Sequence, residues 1–257
     1  MIELKSPADL EKMLRANQVV AETLSELRTM IRPGVCTMEL EERVRELLQK
    51  TRARSAFKGY RGFPCCLCAS LNDEVVHGIP SRNRVLKEGD LLSLDFGVEL
   101  EGWYGDAAIS LGVGRVSAEV EKLLRVTAAA LTRAIAAMQV DNRLSDIARA
   151  VEGHVEQNGF SVVQQFVGHG IGRAMHEEPQ VPNFGKPHPD YRLREGMVLA
   201  LEPMVNAGGP EVQIDADGWT ARTADGSLSA HFEHSVAVTK RGPEVLSRLG
   251  SEANGSI

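Results

Sequence analysis

The sequence predicts an α+β fold made of two pseudo-symmetric α/β halves that share one antiparallel sheet and one core. Three observations predict it. The order long helix, short helix, strand, His-Gly-Ile, strand occurs twice along the chain. Leu86-Lys87-Glu88-Gly89-Asp90-Leu91-Leu92-Ser93-Leu94-Asp95 has a counterpart in Leu193-Arg194-Glu195-Gly196-Met197-Val198-Leu199-Ala200-Leu201-Glu202, offset by 107 residues; both run an apolar strand into a carboxylate. The expected helix caps Thr37 and Ser145 lie 108 apart, in step with that offset, whereas the two His-Gly-Ile segments lie 92 apart and agree in order only. A duplication of this size reads as a single domain over 1–257 with halves of about 6–112 and 117–240.

Each element has a local reason. Ser6-Pro7 supplies a cap and an N1 proline, and Leu10, Met13, Leu14, Val20, Leu24, Leu27 and Ile31 carry an apolar helical stripe to the Pro33-Gly34 stop. Thr37 is the expected cap of a second helix with Glu39, Glu41 and Glu42 near its positive end and Leu40, Val44, Leu47 and Leu48 as its buried stripe. Strands are predicted over 65–71, 91–98 and 103–112, the last two joined by a turn near Leu100-Glu101-Gly102. Ser117 opens a long helix to about Met138, and Ser145 is the expected cap of a shorter one ending at Asn158-Gly159. Strands follow over 162–167, 197–205, 211–214, 219–223 and 229–239, and the polar tail from Gly250 is expected to fray.

Composition narrows the class of function. The chain has 257 residues, 43% hydrophobic and 25% charged, which excludes a disordered, collagen-like or disulfide-scaffold protein. Its formal charge of −6 comes without a basic run, so nucleic acid is not the expected main partner, and no stretch reaches about 18 apolar residues, so no membrane span is expected. Met1-Ile2-Glu3-Leu4-Lys5-Ser6-Pro7 has no basic-then-apolar pattern of a secretory signal. Three of the four cysteines crowd into Cys65-Cys66-Leu67-Cys68, a poor disulfide framework that reads as a small buried strand in a reducing, cytoplasmic setting.

The chemistry is expected where acids interrupt apolar strands. Asp95, Asp106, Glu202 and Glu233 all do so, and no matching set of Lys or Arg accompanies them. Unpaired carboxylates in such places cost several kcal/mol or stay protonated, so a divalent cation is the simplest partner. Asp95 and Asp106, 11 apart across the hairpin turn, are expected on adjacent strands, and the repeat carries Glu202 to the position matching Asp95. Four acids plus a histidine exceed the ligand set of one catalytic ion and fit two. His169 in Gly168-His169-Gly170-Ile171-Gly172, His176, and His77 in Val76-His77-Gly78-Ile79-Pro80 supply imidazoles for metal binding or oxyanion donation.

Six segments carry a resemblance to a known family: Asn72-Asp73-Glu74-Val75-Val76-His77-Gly78-Ile79-Pro80, Ser93-Leu94-Asp95-Phe96-Gly97, Gly105-Asp106-Ala107-Ala108, Gly168-His169-Gly170-Ile171-Gly172, Leu201-Glu202-Pro203-Met204 and Phe232-Glu233-His234. In this order and spacing, the chain resembles the type I methionine aminopeptidases in their short bacterial form, metallopeptidases with the pita-bread fold, from about Ser6 to Thr239. The resemblance implies a curved antiparallel sheet with outer helices. It implies two divalent ions (Co, Mn, Fe, Zn or Ni) on Asp95, Asp106, His169, Glu202 and Glu233, with Asp106 and Glu233 bridging and a metal-bridged hydroxide as nucleophile. Glu202 would double as general acid/base, His176 would bind the scissile carbonyl, and His77 would contact substrate beside it. Tyr60, Phe63, Cys68 and Trp219 would form the methionine pocket. The implied substrates are nascent polypeptides with N-terminal Met and a small second residue. A monomer without membrane or specific nucleic-acid contact is implied, with the ribosome as the partner left open.

Two positions depart from the family pattern. Met175 stands where an aromatic is expected, which would reshape one pocket wall. His231 stands where Gln is expected and, two before Glu233 on one strand, should share its face, so His231→Gln is expected to move the pH optimum. The alternatives are an Xaa-Pro peptidase relative, which would carry an extra N-terminal domain, and a non-catalytic binding module, which the complete ligand set disfavours. A nicotinamide-dependent dehydrogenase fails because Gly112-Val113-Gly114 lacks the third glycine of the dinucleotide fingerprint.

Overall fold

The structure is a computed structural model that describes residues 2–248; the tail expected to fray from Gly250 lies outside them. Helices α1 (Pro7–Met30) and α2 (Thr37–Gln49) precede β1 (Arg54–Ser55), β2 (Cys68–Leu71), β3 (Glu74–Val76) and the long hairpin of β4 (Leu91–Leu100) and β5 (Trp103–Gly112). Helices α3 (Ala118–Ala137) and α4 (Leu144–Gln157) then lead to β6 (Ser161–Val162), β7 (Gly168–Gly170), β8 (Glu177–Val181) and β9 (Val198–Leu201). The chain continues through β10 (Met204–Asn206), β11 (Val212–Ile214), β12 (Ala221–Thr223), β13 (Ser229–His231), β14 (Glu233–Thr239) and β15 (Gly242–Val245).

Among the described residues, the main antiparallel sheet runs β1-β4-β5-β14-β9-β7-β8, with β2 beside β4 and β15 beside β14. Its alternation is clean. Leu92, Leu94, Phe96 and Val98 of β4 pack into one core cluster with Val20, Leu24, Leu27, Leu40 and Val44 of α1 and α2. Leu199 and Leu201 of β9, with Val236 and Val238 of β14, pack against Leu123, Val126, Ile147 and Val151 of α3 and α4. The helices thus cover one face of the sheet, and the intervening side chains of β4, β5, β9 and β14 belong to the other face.

The β4–β5 turn sits at Glu101-Gly102, and both residues have positive φ (52° and 81°), which suits a two-residue hairpin loop and explains the glycine. Gly105 is required for a different reason: a Cβ there would lie 2.8 Å from the Asn17 backbone nitrogen, so α1 crosses β5 directly beside Asp106.

Several local expectations are corrected. Helix α2 is capped by Cys36, whose N–H donates to Glu39; Thr37 instead exchanges hydrogen bonds with Ser81, tying α2 to the loop that follows His77. Glu41, expected to serve as an acid near the positive end of the helix, is fully buried and accepts hydrogen bonds from the Cys66 and Leu67 amides, while Leu47 and Leu48 are only half-buried. Helix α4 is capped by Arg143 with Asp146, and Ser145 bonds to Asp190 across the connection. The expected strand over 197–205 breaks at Glu202-Pro203, and that over 229–239 breaks at Phe232, so each supplies strands to two sheets.

Candidate active site

Strand register builds the site. Asp95 pairs with Ala108, and Gly97 with Asp106, so the two aspartates lie diagonally on one face rather than directly opposite. Gly97 leaves the room: a Cβ there would sit 3.0 Å from Asp106 Oδ1. Glu233 pairs with Ala108 from the other side, and His234 pairs with Leu201, which brings Glu202 alongside Glu233. His169 pairs with Ala200, two residues before Glu202 on the same face. Strand β7 is squeezed between its neighbours, for a Cβ on Gly168 would lie 2.4 Å from Ala200 O and one on Gly170 2.3 Å from Glu178 O. The glycines around His169 therefore serve close strand packing.

All five residues line one cavity of about 550 Å³. Asp106, His169 and Glu233 bring ligand atoms within 4.8 Å of one another. His169 Nε2 also lies 3.6 Å from Glu202 Oε1 and 3.9 Å from Asp106 Oδ2. Its Nδ1 donates to Gly170 O (2.8 Å), which leaves the Nε2 lone pair aimed at the acids. Burial first, then the neighbouring His176, lowers His169 to about 4, so it is a neutral imidazole at pH 7.

The acids lack counter-charges. Among the described residues no Lys or Arg forms an ion pair with any of the four, and Asp95 Oδ1, Asp106 Oδ1 and Glu233 Oε1 are buried without a hydrogen-bond partner. Burial pushes Asp95 up to about 7. Burial, then the charges of Asp95 and Glu202, pushes Asp106 well above the carboxylate range. Glu202 is raised by burial and then Asp95, and Glu233 by burial and then Asp106, Glu202 and Asp95. Such a set keeps protons until a cation replaces them, and its oxygen-rich donors with one imidazole fit a divalent metal.

The remaining site candidates fall into two groups around this floor. Phe63 and Cys68 are buried in one apolar cluster with Cys65, against which Phe57, Ile79 and Trp219 pack. Phe63 and Trp219 meet edge to face at 5.2 Å. Cys68 pairs with Asp95 across β2 and β4, so this apolar slot abuts the acids. Glu41 holds the preceding Cys66 and Leu67 amides and so fixes the approach to β2. Tyr60 stands apart from the cluster: it is exposed, stacks on His176, and its hydroxyl lies 3.1 Å from His176 Nδ1. His176 lines the same cavity with its ring centre 4.3 Å from that of His169.

His77 lines the cavity between Phe166 and Trp219, edge-on to both, in a left-handed backbone conformation (φ 62°). Burial, then His176, holds it at about 4. Phe57 and Phe166 also line the cavity and escaped the sequence reading: Phe166 belonged to an expected strand over 162–167 that is only Ser161–Val162. Met175 is buried in the cavity wall near Gly97. His231 is corrected. The break at Phe232 places it on β13, paired with Met204, so the shared-face argument with Glu233 fails. Burial, then His77, holds His231 at about 3, which removes the titration expected to move the pH optimum.

The Metallopeptidase family M24 profile matches residues 11–240. The chain is 49% identical over 249 residues to a methionine aminopeptidase of Clostridium perfringens, covering 97% of this chain and 100% of that protein. It superposes on the crystal structure of the Thermotoga maritima methionine aminopeptidase with a TM-score of 0.95 at 44% identity, covering 97% of this chain and 100% of the other. The likeness to an Xaa-Pro dipeptidase from Bacillus anthracis (TM-score 0.76, 21% identity, 97% of this chain and 63% of the other) shows the fold alone. The curled antiparallel sheet with outer helices is thus the pita-bread architecture, and this chain belongs to metallopeptidase family M24, among the methionine aminopeptidases.

Proposed function

We propose that this chain hydrolyses the N-terminal methionine from nascent polypeptides and prefers a small second residue. The observation that carries the reading is the Cys68–Asp95 pairing, which sets an apolar slot against a cluster of uncompensated acids. A free α-amino group is cationic and suits those acids, while a thioether side chain suits Phe63, Cys68 and Trp219. An internal peptide offers no such amine, which accounts for an exopeptidase.

Asp95, Asp106, His169, Glu202 and Glu233 would hold two divalent ions, with Asp106 and Glu233 shared between them, and Co, Mn, Fe, Zn and Ni all suit the donors. Bound metal supplies Lewis acidity and a nucleophile from water near neutral pH. Glu202, raised by burial and by Asp95, takes the proton of the attacking water and delivers it to the leaving amine. The Tyr60 hydroxyl donates to His176 Nδ1, which leaves His176 Nε2–H to donate to the scissile carbonyl and to the oxyanion that develops from it. Neutral His77, braced by Phe166 and Trp219, makes a second contact beside the scissile bond. Tyr60, which lines the same cavity and stacks on His176, would border the methionine side chain from the His176 side.

In this reading 1–257 is one catalytic domain, duplicated as halves of about 6–112 and 117–240 whose strands meet at β5 and β14. The protein acts as a monomer in the cytoplasm on chains leaving the ribosome; its four free, buried cysteines suit a reducing compartment. Metal-reconstituted protein should cleave Met-Ala-Ser far faster than Met-Leu-Ser. Failure on Met-Ala-Ser with activity on Xaa-Pro peptides would overturn the reading.

A further inference from the structure

Lys5 is an unusual cation. It lies just before α1, yet its side chain is only 2% exposed. Burying an ammonium costs several kcal/mol unless it is paired and hydrogen-bonded. Its Nζ meets Glu177 Oε2 at 2.5 Å and donates to Glu3 O at 3.1 Å. Two glycines make room for it. A Cβ on Gly172 would lie 2.3 Å from Lys5 Cε, and one on Gly196 (φ 86°) would lie 2.7 Å from Lys5 O. The Lys5 amide donates to Gly196 O at 2.7 Å.

Glu177 joins this anchor to the active site. Its other oxygen, Oε1, accepts from the Arg173 and Ala174 amides at 2.6 and 3.1 Å and so closes the turn over 173–177. The same turn begins at Gly172, whose carbonyl accepts from Tyr104 N at 2.9 Å. His176 precedes Glu177 directly, and among the described residues its ring has one hydrogen-bond partner, the hydroxyl of the exposed Tyr60. Its placement over the cavity therefore depends on the turn, and the turn depends on a carboxylate held from outside the cavity.

We propose that Lys5, through its ion pair with Glu177, is a positioning residue for His176. The segment before the first helix thereby clamps the turn that presents the carbonyl-binding imidazole. This inference rests on the reading of His176 as donor to the scissile carbonyl. A misplacement of about 1 Å at such a donor costs on the order of 10²-fold in rate. Lys5→Met keeps the stem and removes the charge, leaving Glu177 unpaired. Glu177→Gln keeps an acceptor for the two amides and removes the unpaired charge when combined with it.

The test has two readouts: kinetics of the metal-loaded enzyme on Met-Ala-Ser, and amide exchange of the metal-free protein over residues 172–177. For K5M we expect kcat to fall about tenfold or more, KM to stay within about twofold, and exchange to quicken in that turn alone. The double variant K5M/E177Q also lacks the ion pair and should lose kcat as K5M does, with the same local quickening of exchange; because it contains no unpaired carboxylate, it serves if K5M folds poorly. Wild-type kcat in K5M or in the double variant together with unchanged exchange overturns the proposal, as does a loss accompanied by uniformly faster exchange through both halves. A wild type inactive on Met-Ala-Ser overturns the functional reading, and the role of Lys5 in the reaction with it. Activity in the wild type with unaltered K5M kinetics overturns the role of Lys5 alone.

Discussion

Glu202 Oε1 stands 3.6 Å from His169 Nε2, although the residues are 33 apart in sequence. The contact follows from register: His169 faces Ala200, and Glu202 follows two residues later where Pro203 ends β9. Because His169 spends its Nδ1–H on Gly170, the pair is a neutral imidazole beside a raised carboxyl, a poor ion pair and a good start for a metal site. Glu202→Gln should lower kcat by about 10²–10⁴-fold, the span of general acid/base contributions. It should also raise the melting temperature of the metal-free protein, since one of four mutually repelling acids is gone. Kinetics and thermal unfolding in chelator check both effects.

The acids should control metal stoichiometry unequally. Equilibrium dialysis of the wild type should give about two equivalents of divalent metal. If Asp106 is shared by two ions, as proposed, Asp106→Asn should weaken both, whereas Asp95→Asn and His169→Ala should each weaken one. Equal loss from all three variants would contradict the shared position of Asp106.

Metal-free protein should lose stability as pH rises. Asp95 is raised to about 7, above the ordinary aspartate value of 3.8, so its contribution is fully present below 3.8 and is lost as pH climbs through 7. Metal should reverse the trend, because it binds the deprotonated acids. Melting temperatures across this pH range, with and without metal, measure the sign directly.

His231 should behave in the opposite sense and outside the working range. Its pKa is depressed from 6.5 to about 3, so stability is present above 6.5 and lost as pH falls through 3. His231→Gln should therefore leave the pH–rate profile unchanged between about pH 6 and 8, while its melting temperature gains on the wild type as pH falls below 6.5. A shifted activity profile would contradict the neutral state of His231.

The apolar slot should govern affinity for methionine. Trp219 packs on Phe63 and faces His77, so Trp219→Ala should lower kcat/KM for Met-Ala-Ser by roughly 10- to 100-fold, the worth of about 1.5–3 kcal/mol of side-chain burial. Steady-state kinetics with Met-Ala-Ser check the size of the loss.

The five residues that meet in the cavity, Asp95, Asp106, His169, Glu202 and Glu233, were legible because each is a chemical contradiction, an acid or imidazole amid apolar or glycine-rich strand residues. The β4–β5 hairpin was legible because its alternation and turn are local. What stayed hidden depends on distant partners. Ser145 resembles a cap, but Asp190, 45 residues on, takes its hydroxyl. Glu41 resembles a dipole acid, but two amides of the 65–67 segment bury it. Phe57 and Phe166 enter the cavity from irregular backbone, where no periodicity marks them. Lys5 reads as an ordinary surface lysine until Glu177 appears beside it.

The most direct test is release of free methionine from Met-Ala-Ser by metal-reconstituted protein, run beside Glu202→Gln and beside the same peptide with its amine acetylated. The account predicts rapid release by the wild type, loss of about 10²-fold or more in the variant, and none from the acetylated peptide. Equal release from the free and acetylated peptides, or no release by the wild type, would contradict it.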